Sequence, residues 1–256
     1  MKKHKEIVSR TGINVMRYGY LLITFLISDA WLRVITRWIS RYSIYAFAPN
    51  CFTICWSMLL TLTVAAIRPR KASQAVYGIL FVLSFLYSLI QYFAYQILGR
   101  FLYISDFLYA SEGGDYKSYI LGFMNRKAIV YILVMIIIGF IGICLVPDHK
   151  KESWKSSRWI RLILSAISIC GIILAPMTYE KSVTYDGVEY VNNFATPSFE
   201  YTKFVNSVFD MELTGTYQFF ARDLYQGVER NSSRMKTSIR RRNNSFPRRK
   251  NMFQMT

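Results

Sequence analysis

Histidine and cysteine are scarce in this chain, with two and four copies among 256 residues. His4 and His149 sit in basic segments and read as solvated. Cys51, Cys55, Cys144 and Cys170 all fall inside apolar runs. Cys51 and Cys55 share a helix face at i, i+4, but no histidine or third thiol accompanies them, so they read as small packing residues. The sequence holds no disulfide framework, zinc site, phosphate-binding glycine loop or nucleophile elbow. A signal-peptide cleavage pattern is also missing after the first apolar run, so that run is expected to stay as an anchor. Acids are few as well, 15 against 32 Lys and Arg, for a formal charge of +17. The excess lies in short loops and one C-terminal tail rather than on a folded basic face, which argues against a nucleic-acid partner.

Apolar residues are abundant. They make up 53% of the chain, with a mean hydropathy of +0.21. That is too apolar for an ordinary soluble domain. Runs at 18–37, 44–67, 75–98, 128–146 and 159–177 each reach the roughly twenty residues that cross about 30 Å of hydrocarbon. Backbone in lipid must satisfy its own hydrogen bonds, so each run predicts a helix. The expected fold is therefore an all-α membrane protein with five transmembrane helices in residues 18–177. Residues 1–17 form a basic N-terminus, 178–226 a juxtamembrane linker of short amphipathic helices, and 227–256 a disordered basic tail.

Orientation follows from the loops. Lys2, Lys3, Lys5, Arg10 and Arg17 precede the first run; Arg68, Arg70 and Lys71 follow the second; Lys150, Lys151, Lys155 and Arg158 follow the fourth. The main opposite loop mixes Arg100, Lys117, Arg126 and Lys127 with Asp106, Glu112 and Asp115. The N-terminus is thus expected inside and the segment after the fifth run outside.

Two polar groups have two readings each. Asp29 lies inside the first run, where a carboxylate is costly and usually paired. Arg33, four residues on, can reach it as a structural ion pair. Alternatively Arg33, Arg37 and Arg41 climb the same face to meet lipid phosphate. The loop 99–127, "GRFLYISDFLYASEGGDYKSYILGFMNRK", is long and aromatic. It reads either as a re-entrant or interfacial segment with its rings at headgroup level, or as a headgroup or metal platform using Arg100, Asp106, Glu112 and Asp115.

The segment 178–226 carries seven acids against Lys181, Lys203 and Arg222. Within it, "LTGTYQFFARDLYQ" (Leu213–Gln226) resembles the G-x-Y-x-F/Y-x-x-x-D segment that follows the fifth span in lipoteichoic acid synthases and related phosphoglycerol transferases. Gly215, Tyr217, Phe219 and Asp223 carry that likeness. "DAWLRVITRWISRYSIYAFAPN" resembles their first outer loop and "RFLYISDFLYASEGG" their third, so the resemblance covers about residues 15–226. It implies a membrane anchor in the bacterial plasma membrane, with lipids, phosphatidylglycerol among them, as partners; oligomeric state is left open. In that family the chemistry belongs to a following extracellular domain of the sulfatase and alkaline-phosphatase type. That domain uses a threonine nucleophile beside a divalent metal such as Mn or Mg. No catalytic residue, metal ligand or cofactor site can be carried onto this chain, which is expected to be inactive alone.

The tail 227–256 sets nine bases against Glu229 and shows no apolar periodicity. One reading is a basic arm for anionic lipid or teichoic acid polymer; another is plain disorder. A third is a shifted reading frame. Joining each third codon base of "RRKNMFQMT" (Arg248–Thr256) to the next two forces Val at Met252–Phe253 and Asp at Met255–Thr256. It permits Glu-Glu-Lys-His-Val-Pro-Asn-Asp, similar to the K-x-H-x-P-N stretch ahead of the family's catalytic domain. The competing functional class is a small polytopic transporter subunit or scaffold whose tail binds anionic surfaces. Transport usually leaves polar pairs or Gly/Pro breaks at mid-span, and only Asp29 qualifies.

Overall fold

A computed structural model describes residues 2–36, 47–107, 126–147, 158–185, 188–191, 196–203 and 206–245. The long helices are α1 (Lys2–Thr36), α2 (Phe47–Ala66), α3 (Arg70–Leu98), α5 (Arg126–Leu145) and α6 (Arg158–Leu174), the last extended by a 3-10 turn over Ala175–Thr178. A short helix, α4 (Ile104–Phe107), follows α3. Among the described residues, four stretches are long and apolar enough to cross a membrane: Phe47–Ala66, Arg70–Leu98, Ala128–Leu145 and Arg158–Thr178. The count expected from the sequence was five. α1 is not among the four, and its apolar stretch is interrupted by Asp29 and Arg33.

Local chemistry explains the helix ends. Pro69, with no N–H to lose, stands just before α3, and Ser73 Oγ donates to the Val64 carbonyl at 2.8 Å, closing the α2–α3 turn. Gly99 ends α3 at φ 67° and returns its N–H to the Tyr95 carbonyl at 3.0 Å, the left-handed cap that glycine adopts without a Cβ clash. Large apolar side chains such as Leu133, Ile137 and Phe140 on α5 and Ile160, Ile163 and Ile167 on α6 point outward. In water such a surface would be an aggregation liability; in hydrocarbon it costs nothing.

α1 occupies the middle, packed against α2, α3 and α5. Leu21, Phe25 and Leu32 on it are fully buried, and so are Thr24, Ser28 and Asp29. Trp31 stacks on Tyr131 of α5 with ring centroids 3.5 Å apart. Close approach of α3 and α5 depends on Gly139 and Gly142, whose missing Cβ positions are filled by the rings of Phe81 and Tyr77. α2 and α6 meet the same way at Gly171, where a Cβ would come within 2.5 Å of Cys55 Sγ. Small residues at helix crossings are how apolar helices pack in lipid.

After α6 the chain departs from expectation twice. Short helices were expected throughout 178–226, but β1 (Ser182–Tyr185) and β2 (Val188–Val191) pair antiparallel, Tyr185 opposite Val188. The local signal for it is Asp186-Gly187 between β-branched and aromatic residues, a strong hairpin signature. Helices follow as α7 (Pro197–Lys203) and α8 (Ser207–Ser245). The second departure is the tail, expected to be disordered from residue 227. α8 instead continues as helix to Ser245. Arg, Lys and Met are good helix formers, and a helix already nucleated upstream extends at little cost. The stretch read in the alternative frame, 248–256, lies outside the described residues.

Candidate functional site

α8 is broken in direction at Gly215, which sits at φ 71°, ψ 173°. That region is essentially closed to residues with a Cβ. The break turns Leu213–Asp223 into the end of the bundle where α1 and α3 finish and α2 and α5 begin. There it meets Asp29. The carboxylate is fully buried and lies 3.2 Å from Arg33 Nη2. Arg33 donates onward to Asn50 Oδ1 at 2.9 Å and Thr53 Oγ1 at 3.0 Å, both on α2. Thr53 lies in hydrogen-bond contact with Asp29 Oδ2. The second oxygen, Oδ1, accepts the Thr216 backbone N–H at 2.5 Å. Both carboxylate oxygens are therefore engaged, and the charge is balanced by Arg33. A carboxylate so occupied clamps; it is not free to act as a base or nucleophile.

The residues that follow are held one by one. Tyr217 donates its hydroxyl to the Phe25 carbonyl of α1 at 2.9 Å. Gln218 accepts from Trp56 Nε1 at 2.8 Å and donates to the Tyr201 hydroxyl at 3.1 Å. Phe219 is fully buried, stacked on Tyr103 with centroids 5.7 Å apart. Arg222 lies over the Tyr201 ring at 3.9 Å. Burial pushes its guanidinium below the ordinary value, against the pull of Tyr201 and Asp210. Asp223 accepts the Ile104 backbone N–H. Upstream, Tyr179 donates to the Leu213 carbonyl.

A second polar cluster lies beside it. Gln91, buried in α3, pairs both ways with the Leu102 backbone at 2.8 Å. Asp106 binds Arg100 at 2.8 Å and accepts the Tyr103 N–H at 3.0 Å.

Of the residues singled out in the sequence, Asp29 joins Arg33, and Arg100 joins Asp106. Each carboxylate is held by its arginine, while Arg33 Nε stays buried without a hydrogen-bond partner and Arg100 remains half exposed. Gly215, Tyr217, Phe219 and Asp223 all dock on the bundle or on its α3–α4 connection. Arg37, Arg41, Glu112 and Asp115 lie outside the described residues. Sequence reasoning missed Asn50, Thr53, Gln91 and Gln218. Polar residues inside otherwise apolar helices were the available signal. Among the described residues no three His, Cys, Asp or Glu side chains group as metal ligands. Cys51 and Cys55 lie with sulfurs 4.0 Å apart, packed against Gly171.

No protein-family model matches the chain, and neither a curated protein nor a solved structure does.

Proposed function

We propose that this chain is the membrane anchor region of a phosphoglycerol transferase-like enzyme of cell-envelope polymer synthesis. It sits in the bacterial plasma membrane with α1 as a fifth span, the N-terminus inside and α8 outside. One observation carries the reading: the four residues of the G-x-Y-x-F-x-x-x-D segment are each docked on the helices or on the α3–α4 connection, Tyr217 reaching in as far as the Phe25 carbonyl of α1. A motif placed to hold the exit from a bundle fits an anchor that presents something beyond it. The fifth span is supported by the burial of α1, since Asp29 and Arg33 face protein and not lipid. The anchor contributes no catalytic group, and a divalent metal would belong to the following domain.

Two measurements test this. Reporter fusions after Gln74 and Tyr179 are expected inside and outside respectively, and an inside signal at Tyr179 overturns the orientation. Purified chain given fluorescent phosphatidylglycerol and Mn²⁺ is expected to release no diacylglycerol above background. Metal-dependent release places chemistry in the chain and ends the anchor reading. A second reading, a membrane scaffold whose basic arm binds anionic surfaces, draws support from the helical course of α8 to Ser245. The downstream DNA separates the two: an open displaced frame encoding a sulfatase-like domain favours the anchor, an early stop the scaffold.

A further inference from the structure

We infer that Asp29 is a positioning residue that caps α8 from another helix, making the chain's exit from the bundle a rigid strut. The helix that restarts at Thr216 presents unpaired backbone N–H groups and the positive end of its dipole. Helices normally satisfy these with a Ser, Thr, Asp or Asn of their own just ahead of the first turn. The first half of α8 does so: Asn206 Oδ1 accepts the Val208 and Phe209 N–H groups at 3.0 and 3.4 Å. The second half has Gly215 at that place, which has no side chain to offer. Asp29, 187 residues earlier in sequence, supplies the acceptor at 2.5 Å.

The fit is mutual. A Cβ at position 215 would stand 3.2 Å from Asp29 Oδ1 and from Thr53 Oγ1, and 3.3 Å from Asp29 Oδ2. The glycine is therefore required twice, by its backbone angles and by the closeness of the carboxylate. Without the segment, Asp29 Oδ1 would lose the backbone donor it meets here, a costly state for a buried charge. The polar cluster of α1 and α2 is thus a receptor completed by the restarting helix.

One capped turn would still allow the helix to swivel. Further attachments prevent it, and they reach different elements: Tyr217 to α1, Gln218 to α2, Phe220 edge-on to Tyr87 of α3 at 5.0 Å, and Asp223 to Ile104 of α4. Points spread over four elements fix tilt and rotation together. Whatever α8 carries beyond Asp223 is then presented in one orientation to the membrane plane, in contrast to a flexible tether. This holds whether or not the family reading is right.

The test uses the full chain in lipid nanodiscs, with the native cysteines replaced by serine. Spin labels at two exposed sites, Lys71→Cys and Tyr225→Cys, report the distance between the α2–α3 turn and α8. A single narrow distribution is expected. Asp29→Ala should broaden it and speed amide exchange at Thr216 and Tyr217 about tenfold, the effect of one lost charge-assisted hydrogen bond. Asp29→Asn keeps an acceptor oxygen and should restore much of the protection. Should Asp29→Ala fail to fold, Gly215→Ala decides, because it retains both charges of the Asp29–Arg33 pair and should broaden the distribution likewise. A broad distribution in the unsubstituted chain overturns the strut. So does an unchanged width in folded Asp29→Ala or Gly215→Ala. Neither result bears on diacylglycerol release, so failure of the anchor reading would be seen separately.

Discussion

Asp29–Arg33 and Arg100–Asp106 are the same chemical pair in two settings, closed at 3.2 and 2.8 Å. In the first, the side chains are 0% and 12% exposed for Asp and Arg; in the second, 27% and 47%. The shorter contact is the weaker one. Around Asp106 water competes for both charges, and such pairs contribute about 0–1 kcal/mol. Around Asp29 there is no water to fall back on, and every lone pair must be met by protein. The threonine, asparagine and peptide N–H gathered there are what a buried charge demands. Distance alone would rank Arg100–Asp106 first; the cost of removing one partner is expected to follow burial instead.

The largest effect is expected from Asp29→Ala, which strands Arg33 in the interior. A loss of about 3–5 kcal/mol should appear in detergent unfolding curves. Equal losses for Asp29→Ala and Asp106→Ala would break the comparison, since burial would then not separate the regions. Gly215→Ala comes next, at about 1–3 kcal/mol, because it forces a Cβ into a glycine-only backbone region against the carboxylate. That loss should vanish in an Asp29→Ala background if the two act as one unit, a coupling readable by a double-mutant cycle.

Gly142→Ala serves as a contrast from the opposite end of the bundle, where the group displaced is the Tyr77 ring and its hydroxyl, bonded to Thr24 at 3.2 Å. A methyl there displaces the Tyr77 ring and should cost about 1–3 kcal/mol. Unlike Gly215→Ala, its cost should be additive with Asp29→Ala, the two sites sharing no partner. Asp106→Ala should cost less than about 1 kcal/mol. Its contribution should fade between low salt and molar salt, whereas that of Asp29 should not, since buried charges are screened much less. Smallest of all is deletion of residues 230–256, downstream of every attachment described, which should leave the melting temperature of the bundle unchanged.

The readable part of this molecule is the part governed by short-range rules. The apolar runs at 44–67, 75–98, 128–146 and 159–177 returned as helices within a few residues of those limits, because lipid leaves a backbone no alternative. The Asp29–Arg33 pair was legible from its i, i+4 spacing. The hairpin has its own local signal in Asp186-Gly187, which competes with the amphipathic pattern around it. The composition of the tail points to disorder, yet helix propensity and a helix already nucleated upstream carry α8 to Ser245.

What the sequence determined by itself, then, is that the long apolar runs are helical, since each depends only on residues within a turn or two. What only the tertiary structure decided is where Asp29 finds its last hydrogen bond. The donor is a backbone amide, present at nearly every residue and so invisible in composition. It is selected only when a glycine bend brings Thr216 to α1. The segment Gly215–Asp223 shows its meaning in the same way, through partners on α1, α2, α3 and α4. No local periodicity encodes a contact between residues so far apart, because the free energy of that contact exists only once the bundle has assembled.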